Sequence, residues 1–199
     1  MHGVAPFPAG TRPVVRKARL VIGNAYRLRN AGVDDAAFIV ALRTDEKKRR
    51  YISATSARID RQREWLARYA ADDTQAYFIV ETAGGDPMGT VRLYDPQGDS
   101  FCFGSWVMRP GAPAGCAIES VLLLYHYALD ELGFSRSRFS VRKANRSVWH
   151  FMESFGGRRV AEDDLDYHYE TDRESVTRSF RRYARYLPRP IQVIRDPVS

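Results

Sequence analysis

The sequence predicts a single α/β (α+β) domain, a mixed and mostly antiparallel sheet of about seven strands flanked by helices. Three observations predict it. The 199 residues, 44% hydrophobic and 28% charged, suffice for one ordinary globular core. Three β-rich runs follow one another through Gly- and Asp-rich breaks, which is the chemistry of a meander. A strand–helix–strand pattern comes next, and its crossover makes the sheet mixed.

Residues 1–24 hold Pro6, Pro8 and Pro13 without clear periodicity and read as an extended arm. Residues 25–187 form the domain, and a Pro-containing tail, residues 188–199, follows. Tyr26-Arg-Leu-Arg29 alternates apolar and basic residues, a short strand. Asp34 and Asp35 open a helix through Arg43, acids in the turn where the macrodipole favours them. A second helix is expected from Ile59 to Ala71, with Ile59, Trp65, Leu66 and Tyr69 as its apolar positions. Strands follow at Ala76–Glu81, Met88–Tyr94 and Phe101–Met108. The loop Arg109–Ala117 leads into a helix reaching Leu132, marked by Ile118, Val121, Leu122, Tyr125 and Leu129 and stopped by Gly133. Arg138–Val141 is a strand, and Asn145 caps a helix ending at Gly156-Gly157. Strands near Arg159–Glu162 and Asp166–Thr171 precede a last helix, Glu174–Tyr186.

The net charge is +7, from 31 Lys and Arg against 24 Asp and Glu. Such an excess attracts polyanions, a phosphorylated small molecule as well as nucleic acid. The clusters Lys47–Arg50 and Arg178–Arg185 read as solvated helix faces, and no nucleic-acid reader motif accompanies them, so nucleic acid is not an expected partner. The longest apolar run, Val121–Tyr125, is too short to cross a bilayer, so no membrane partner is expected, and Met1–Gly10 shows no secretory pattern. Cys102 and Cys116 form no metal-like pair and suit a reducing cytoplasm. No metal is expected.

The chemistry concentrates between Phe101 and Gly157. An apolar strand enters the small-residue loop Ala114-Gly115-Cys116-Ala117, and a long helix starts at once. Its unpaired N–H groups and positive dipole end make an anion site suited to a pyrophosphate. Neither the P-loop nor the triple-glycine dinucleotide pattern is present.

In order and spacing, Tyr26 to Thr171 resembles the GNAT superfamily of acetyl-CoA-dependent N-acyltransferases. That family's Gln/Arg-x-x-Gly-x-Gly/Ala loop corresponds to Ala112, Gly115 and Ala117, with Ala112 in place of the opening Gln or Arg. Its second cofactor segment corresponds to Asn145, Val148, Phe151, Phe155 and Gly156, with Ser154 and Gly157 replacing the closing lysine and aromatic. The resemblance implies acetyl-CoA as co-substrate, its pyrophosphate on the amides of Gly115, Cys116 and Ala117. It also implies a pantetheine arm along the main chain of Val107 and Met108, with Asn145 and Phe151 beside the cofactor and Lys143 or Arg146 near an outer phosphate. Many relatives carry a proton-donating tyrosine where this chain has Met152.

Ile59-Asp-Arg-Gln-Arg-Glu-Trp65 and Gly89-Thr-Val-Arg-Leu-Tyr94 look like the branch containing ribosomal-protein N-terminal and amino-sugar acetyltransferases. Phe103-Gly-Ser-Trp-Val107, Glu119-Ser120 and Phe139-Ser-Val-Arg-Lys-Ala-Asn145 are similar to segments of sugar-nucleotide acetyltransferases. This implies a small-molecule amine acceptor, an amino sugar or sugar nucleotide, with a protein N-terminus or a non-catalytic acyl-CoA-binding module as alternatives. Trp65, Arg92, Tyr94, Ser105 and Trp106 are the expected acceptor-side residues. Glu119 is the candidate base and His150 the candidate acid; Glu119 also suits a helix start on dipole grounds alone. Cys116 has no adjacent histidine to activate it as a nucleophile. The C-terminal helix and arms suit a homodimer.

Overall fold

Nine strands of the described residues form one open sheet, and the computed structural model describes residues 13–52 and 56–196. Residues 1–12 of the expected arm and 197–199 of the expected tail lie outside the described residues. The elements run β1 (Leu20–Ile22), β2 (Tyr26–Asn30), α1 (Ala36–Thr44), α2 (Ile59–Ala70), β3 (Ala76–Thr82), β4 (Pro87–Gln97) and β5 (Ser100–Met108). They continue with α3 (Ala114–His126), β6 (Arg136–Arg142), α4 (Arg146–Ser154), β7 (Arg158–Glu162), β8 (Asp166–Asp172), α5 (Arg173–Arg182) and β9 (Gln192–Ile194). The sheet order is β7-β8-β6-β5-β4-β3-β2-β1-β9, antiparallel throughout except for the parallel pair β5–β6.

The alternation of β3 shows how the sheet is covered. Phe78 and Val80 point into the larger core with α3, whereas Tyr77 and Ile79 point into a smaller core with Ile39 of α1 and Leu66 and Tyr69 of α2. The run Val121–Tyr125 of α3 is wholly buried, and each such side chain is worth about 1.5–3 kcal/mol over exposure. A π-turn, Tyr127–Glu131, extends α3 toward Leu132.

The two strands beyond the expected number come from the chain ends. Val15, Ala18 and Val21 are buried in the main core, and β1 pairs with β2 on one side and β9 on the other. A three-residue strand carries too little alternation to be read locally, and its outer partner lies at the far end of the chain. The last helix also stops early. At Tyr183 the backbone leaves the helical region, and a 3-10 turn, Ala184–Tyr186, carries Tyr186 back over Gly115.

Candidate active site

The site begins where β5 and β6 part. Their parallel register covers only Ser100↔Arg136, Phe101↔Ser137 and Cys102↔Arg138, although β5 runs to Met108 and β6 to Arg142. Beyond Cys102 the β6-facing edge of β5 is therefore unpaired in the ladder, a row of main-chain groups available to an extended ligand. A bulge at the same place re-aims β5. Thr90 faces Val107 while Arg92 faces Gly104, so β5 carries an extra residue, and Ser105 takes φ +47°. Thr90 Oγ1 donates to the Ser105 carbonyl at 2.7 Å, holding this uncommon conformation.

A cavity of about 730 Å³ opens at the splay, lined from both faces of the sheet. Trp65, Arg92, Tyr94, Ser105, Trp106 and Asn145 all line it. Trp65 stacks on Tyr69 with ring centroids 5.6 Å apart and meets Tyr77 edge-on at 5.8 Å. The Arg92 guanidinium lies over Trp65 at 5.0 Å and Tyr94 at 4.7 Å, and one end donates to Gln75. Its Nε is buried without a hydrogen-bond partner among the described residues, and burial holds its pKa below the usual arginine value. Trp106 donates from its indole N–H to Ser120 Oγ at 3.1 Å and stacks on Phe151 at 5.4 Å. Phe151 thus backs the cavity wall through Trp106. Met152 lines the cavity from α4 and is fully buried.

At the other end of the splay, α3 starts at Ala114 with Pro113 as its cap. The Cys116 N–H is already given to the Pro113 carbonyl at 2.9 Å, whereas the Gly115 N–H has no partner among the described residues. A Cβ at Gly115 would stand 3.3 Å from the Tyr186 ring, so this residue keeps the loop open under an aromatic cover. The free helix-start amide and the unpaired edge of β5 fit an acyl-CoA, pyrophosphate at the first and pantetheine along the second. The Arg109 N–H donates to the Met88 carbonyl and Val107 faces Thr90, so the main chain of Val107 is turned to β4 and that of Met108 to the open edge. Cys116 points into the core, its sulfur 3.8 Å from that of Met108, and burial pushes its thiol up to about 12. Such a thiol is no nucleophile at neutral pH.

The two ionisable candidates stand elsewhere. Glu119 is buried behind the β1–β2 turn, where Oε1 accepts from the N–H groups of Asn24, Ala25 and Tyr26 at 2.6, 3.0 and 3.1 Å. Burial raises its pKa while those donors pull it back. A Cβ on Gly23 would come within 2.3 Å of the same oxygen, so close approach explains that glycine. Neither Glu119 nor His150 lines the cavity. His150 is exposed and stacked on Trp149 at 3.8 Å.

The cavity also carries cations that the sequence reading did not single out. Arg43, Arg58, Arg61, Arg68 and Arg142 join Arg92 in its lining, and Asp166 is its single carboxylate among the described residues. A local signal existed: Arg61, Trp65 and Arg68 recur at helical spacing and present one face of α2, with Arg58 at its N-cap position. Arg142 reaches the site only through the register of β6.

The profile of the GNAT acetyltransferase domain matches residues 26–158. No curated protein sequence matches the chain significantly. Among solved structures, an apo nucleotide-linked sugar GNAT, FdhC, superposes with a TM-score of 0.75 at 35% identity, covering 83% of this chain and 96% of its own. A GCN5-related N-acetyltransferase from Brucella melitensis gives 0.72 at 18% identity, covering 88% and 89%. A variant spermidine N-acetyltransferase from Vibrio cholerae gives 0.68 at 18%, covering 77% and 96%.

Proposed function

The chain belongs to the GNAT acetyltransferase family, and from that premise we propose that it moves the acetyl group of acetyl-CoA to the primary amine of an amino sugar carried on a nucleotide. The observation that carries the acceptor class is the cavity's charge. Arg43, Arg58, Arg61, Arg68, Arg92 and Arg142 line it, and Asp166 is the one carboxylate in that lining among the described residues. Such a surface suits a diphosphate and opposes a polyamine. About 730 Å³ is a volume that small ligands fill, and Trp65 and Tyr94 offer apolar faces for a base or a sugar ring. The similarity to a nucleotide-linked sugar GNAT at 35% identity supports the same reading.

In this reading each element has a task. Acetyl-CoA, when bound, supplies an activated thioester. The free edge of β5 past Cys102 orients the pantetheine arm, and the Gly115 N–H meets the pyrophosphate. Main-chain N–H groups at the bulge polarise the carbonyl, and the arginines fix the acceptor so that its amine faces that carbon.

A screen for acetyl-CoA-dependent thiol release tests this, with nucleotide-linked amino sugars, free amino sugars, spermidine and peptide N-termini as acceptors. Nucleotide-linked amino sugars should give the highest kcat/KM, by about a hundredfold over the same sugars without the nucleotide, since two lost phosphate contacts cost about 3 kcal/mol. Preference for spermidine or for a peptide would overturn the acceptor class. Acetyl-CoA raising the Tm with no amine acetylated would favour a binding module instead.

A further inference from the structure

The family profile ends at residue 158, and past that point β8 brings a histidine against Ser140, a residue of the cavity's lining. Ser140 on β6 and His168 on β8 are directly paired across the antiparallel ladder, so both side chains stand on one face of the sheet. It is the face opposite Phe139 and Tyr169, which are buried in the main core. Ser140 lines the cavity together with Gly104, Ser105 and Trp106. Ser140 Oγ lies 2.8 Å from His168 Nδ1, and His168 Nε2 lies 3.0 Å from Asp163 Oδ2. The second carboxylate oxygen, Oδ1, accepts from the N–H groups of Leu165 and Asp166, both at 2.8 Å.

These contacts select one tautomer of the neutral ring. Main-chain and histidine hydrogen bonds hold the Asp163 carboxyl below its usual range, so it is ionised and can only accept. Nε2 must then carry the ring proton and donate it to Asp163. When the ring is neutral its lone pair is on Nδ1, where the Ser140 hydroxyl donates to it. The other charged groups around His168 are matched in pairs: Arg142 with Asp166 from β6 and β8, Lys143 with Glu162 of β7, and Arg158 of β7 with Glu170. Arg138 on β6 pairs with Asp95, and Arg159 on β7 with Glu153. Asp163 is therefore the charge that acts on the imidazole directly.

We propose that Ser140 and His168 form a proton relay that deprotonates the acceptor's ammonium group, with Asp163 holding the imidazole in the tautomer the relay needs. It rests on the acetyl-transfer reading but not on the identity of the acceptor. One ammonium proton passes to Ser140 Oγ while the hydroxyl proton passes to His168 Nδ1, leaving a neutral amine and an imidazolium beside Asp163. The bond formed is C–N and the bond broken is the thioester C–S. The amine's second proton ends on the departing sulfur, and the imidazolium returns its proton to water. Ser140 touches the amine and is the catalytic residue; His168 and Asp163 act through it.

The test uses the full chain with whichever amine the wild type acetylates fastest. His168→Gln should lower kcat at pH 7 by about a hundredfold or more with acetyl-CoA affinity unchanged, and the deficit should shrink as pH rises toward the amine's own pKa. Asp163→Asn should lower kcat too, because an amide N–H facing Nε2 moves the ring proton onto Nδ1, whereas a merely structural bridge would survive that change. Ser140→Ala should match His168→Gln. If His168→Gln keeps kcat within about threefold and the wild-type pH profile, the relay is overturned. Nitrogen-15 NMR of the wild type gives a readout free of acceptor: an Nε2–H tautomer at neutral pH supports the relay, and an Nδ1–H tautomer overturns it. A wild type inert on nucleotide-linked amino sugars but active on another amine sinks the acceptor class and leaves the relay to be decided on that amine; with no active amine, the tautomer decides.

Discussion

In the second turn of α3, Glu119 is 1% exposed, with its carboxylate against the N–H groups of Asn24, Ala25 and Tyr26. Three donors meet one oxygen, and Gly23 leaves them room. The residue joins the β1–β2 turn to the helix that starts beside the cofactor slot, so its work is positional. Glu119→Gln puts an amide N–H where the turn's own donors point, leaving one or more of them unmet. The expected cost is about 1–3 kcal/mol, a fall in Tm of about 3–10 °C for a chain of this size. Turnover per folded molecule should stay near wild type. Thermal melts with initial rates on the same samples check this; a thousandfold loss of kcat in a folded variant would return Glu119 to the chemistry.

Among the elements, α5 shows how one helix end serves a distant site. Asp172 caps it, its carboxylate accepting from the Ser175 N–H at 2.8 Å and the Ser175 hydroxyl at 2.7 Å. Ser179 and Val176 bury the inner face, and the turn after the helix carries Tyr183 onto Phe151 and Phe155 and Tyr186 onto Gly115. Asp172→Ala should cost about 0.5–2 kcal/mol and Asp172→Asn much less, since Asn caps as well. The Ser175 N–H and hydroxyl hold the Asp172 pKa below 3.8 in the folded state. Because the folded value is depressed, the cap's contribution is fully present above the unfolded pKa and is lost as pH falls through the folded one. Denaturant unfolding at neutral pH and near pH 2.5 should therefore show the Asp172→Ala deficit shrinking in acid; an equal deficit at both would show that capping is not its cause.

Across the whole molecule, a +7 chain concentrates arginines in the cavity that straddles its sheet. A field of that kind speeds the approach of anions and is screened over a Debye length of about 10 Å at 0.1 M salt. For a nucleotide-linked acceptor, kcat/KM should fall by about three- to tenfold as salt rises from about 0.02 to 0.5 M, mostly through KM. Spermidine, if turned over at all, should show the opposite sign. A flat salt profile with a nucleotide-linked acceptor would remove the arginines' steering role. No helix of the described residues is long and apolar enough to cross a membrane.

The sequence by itself determined the meander β3–β5, the helix α3 with its small-residue entry, and the order of strands and helices from Tyr26 to Thr171. These rest on periodicity and turn residues within a dozen positions of one another, where local physics dominates. It also named Trp65, Arg92, Tyr94, Ser105 and Trp106, which meet in one cavity because β4 and β5 carry the last four side by side and α2 packs Trp65 against Arg92 and Tyr77. Only the tertiary structure decided that β1 and β9 pair from opposite ends of the chain, that Glu119 belongs to a turn and His150 to the surface, and that His168 faces Ser140. Ser140 and His168 are 28 residues apart, and a one-residue slip of β8 against β6 would turn the histidine to the buried face. Register is fixed by the packing of whole strands, so proximity of this kind is written in no local stretch of sequence.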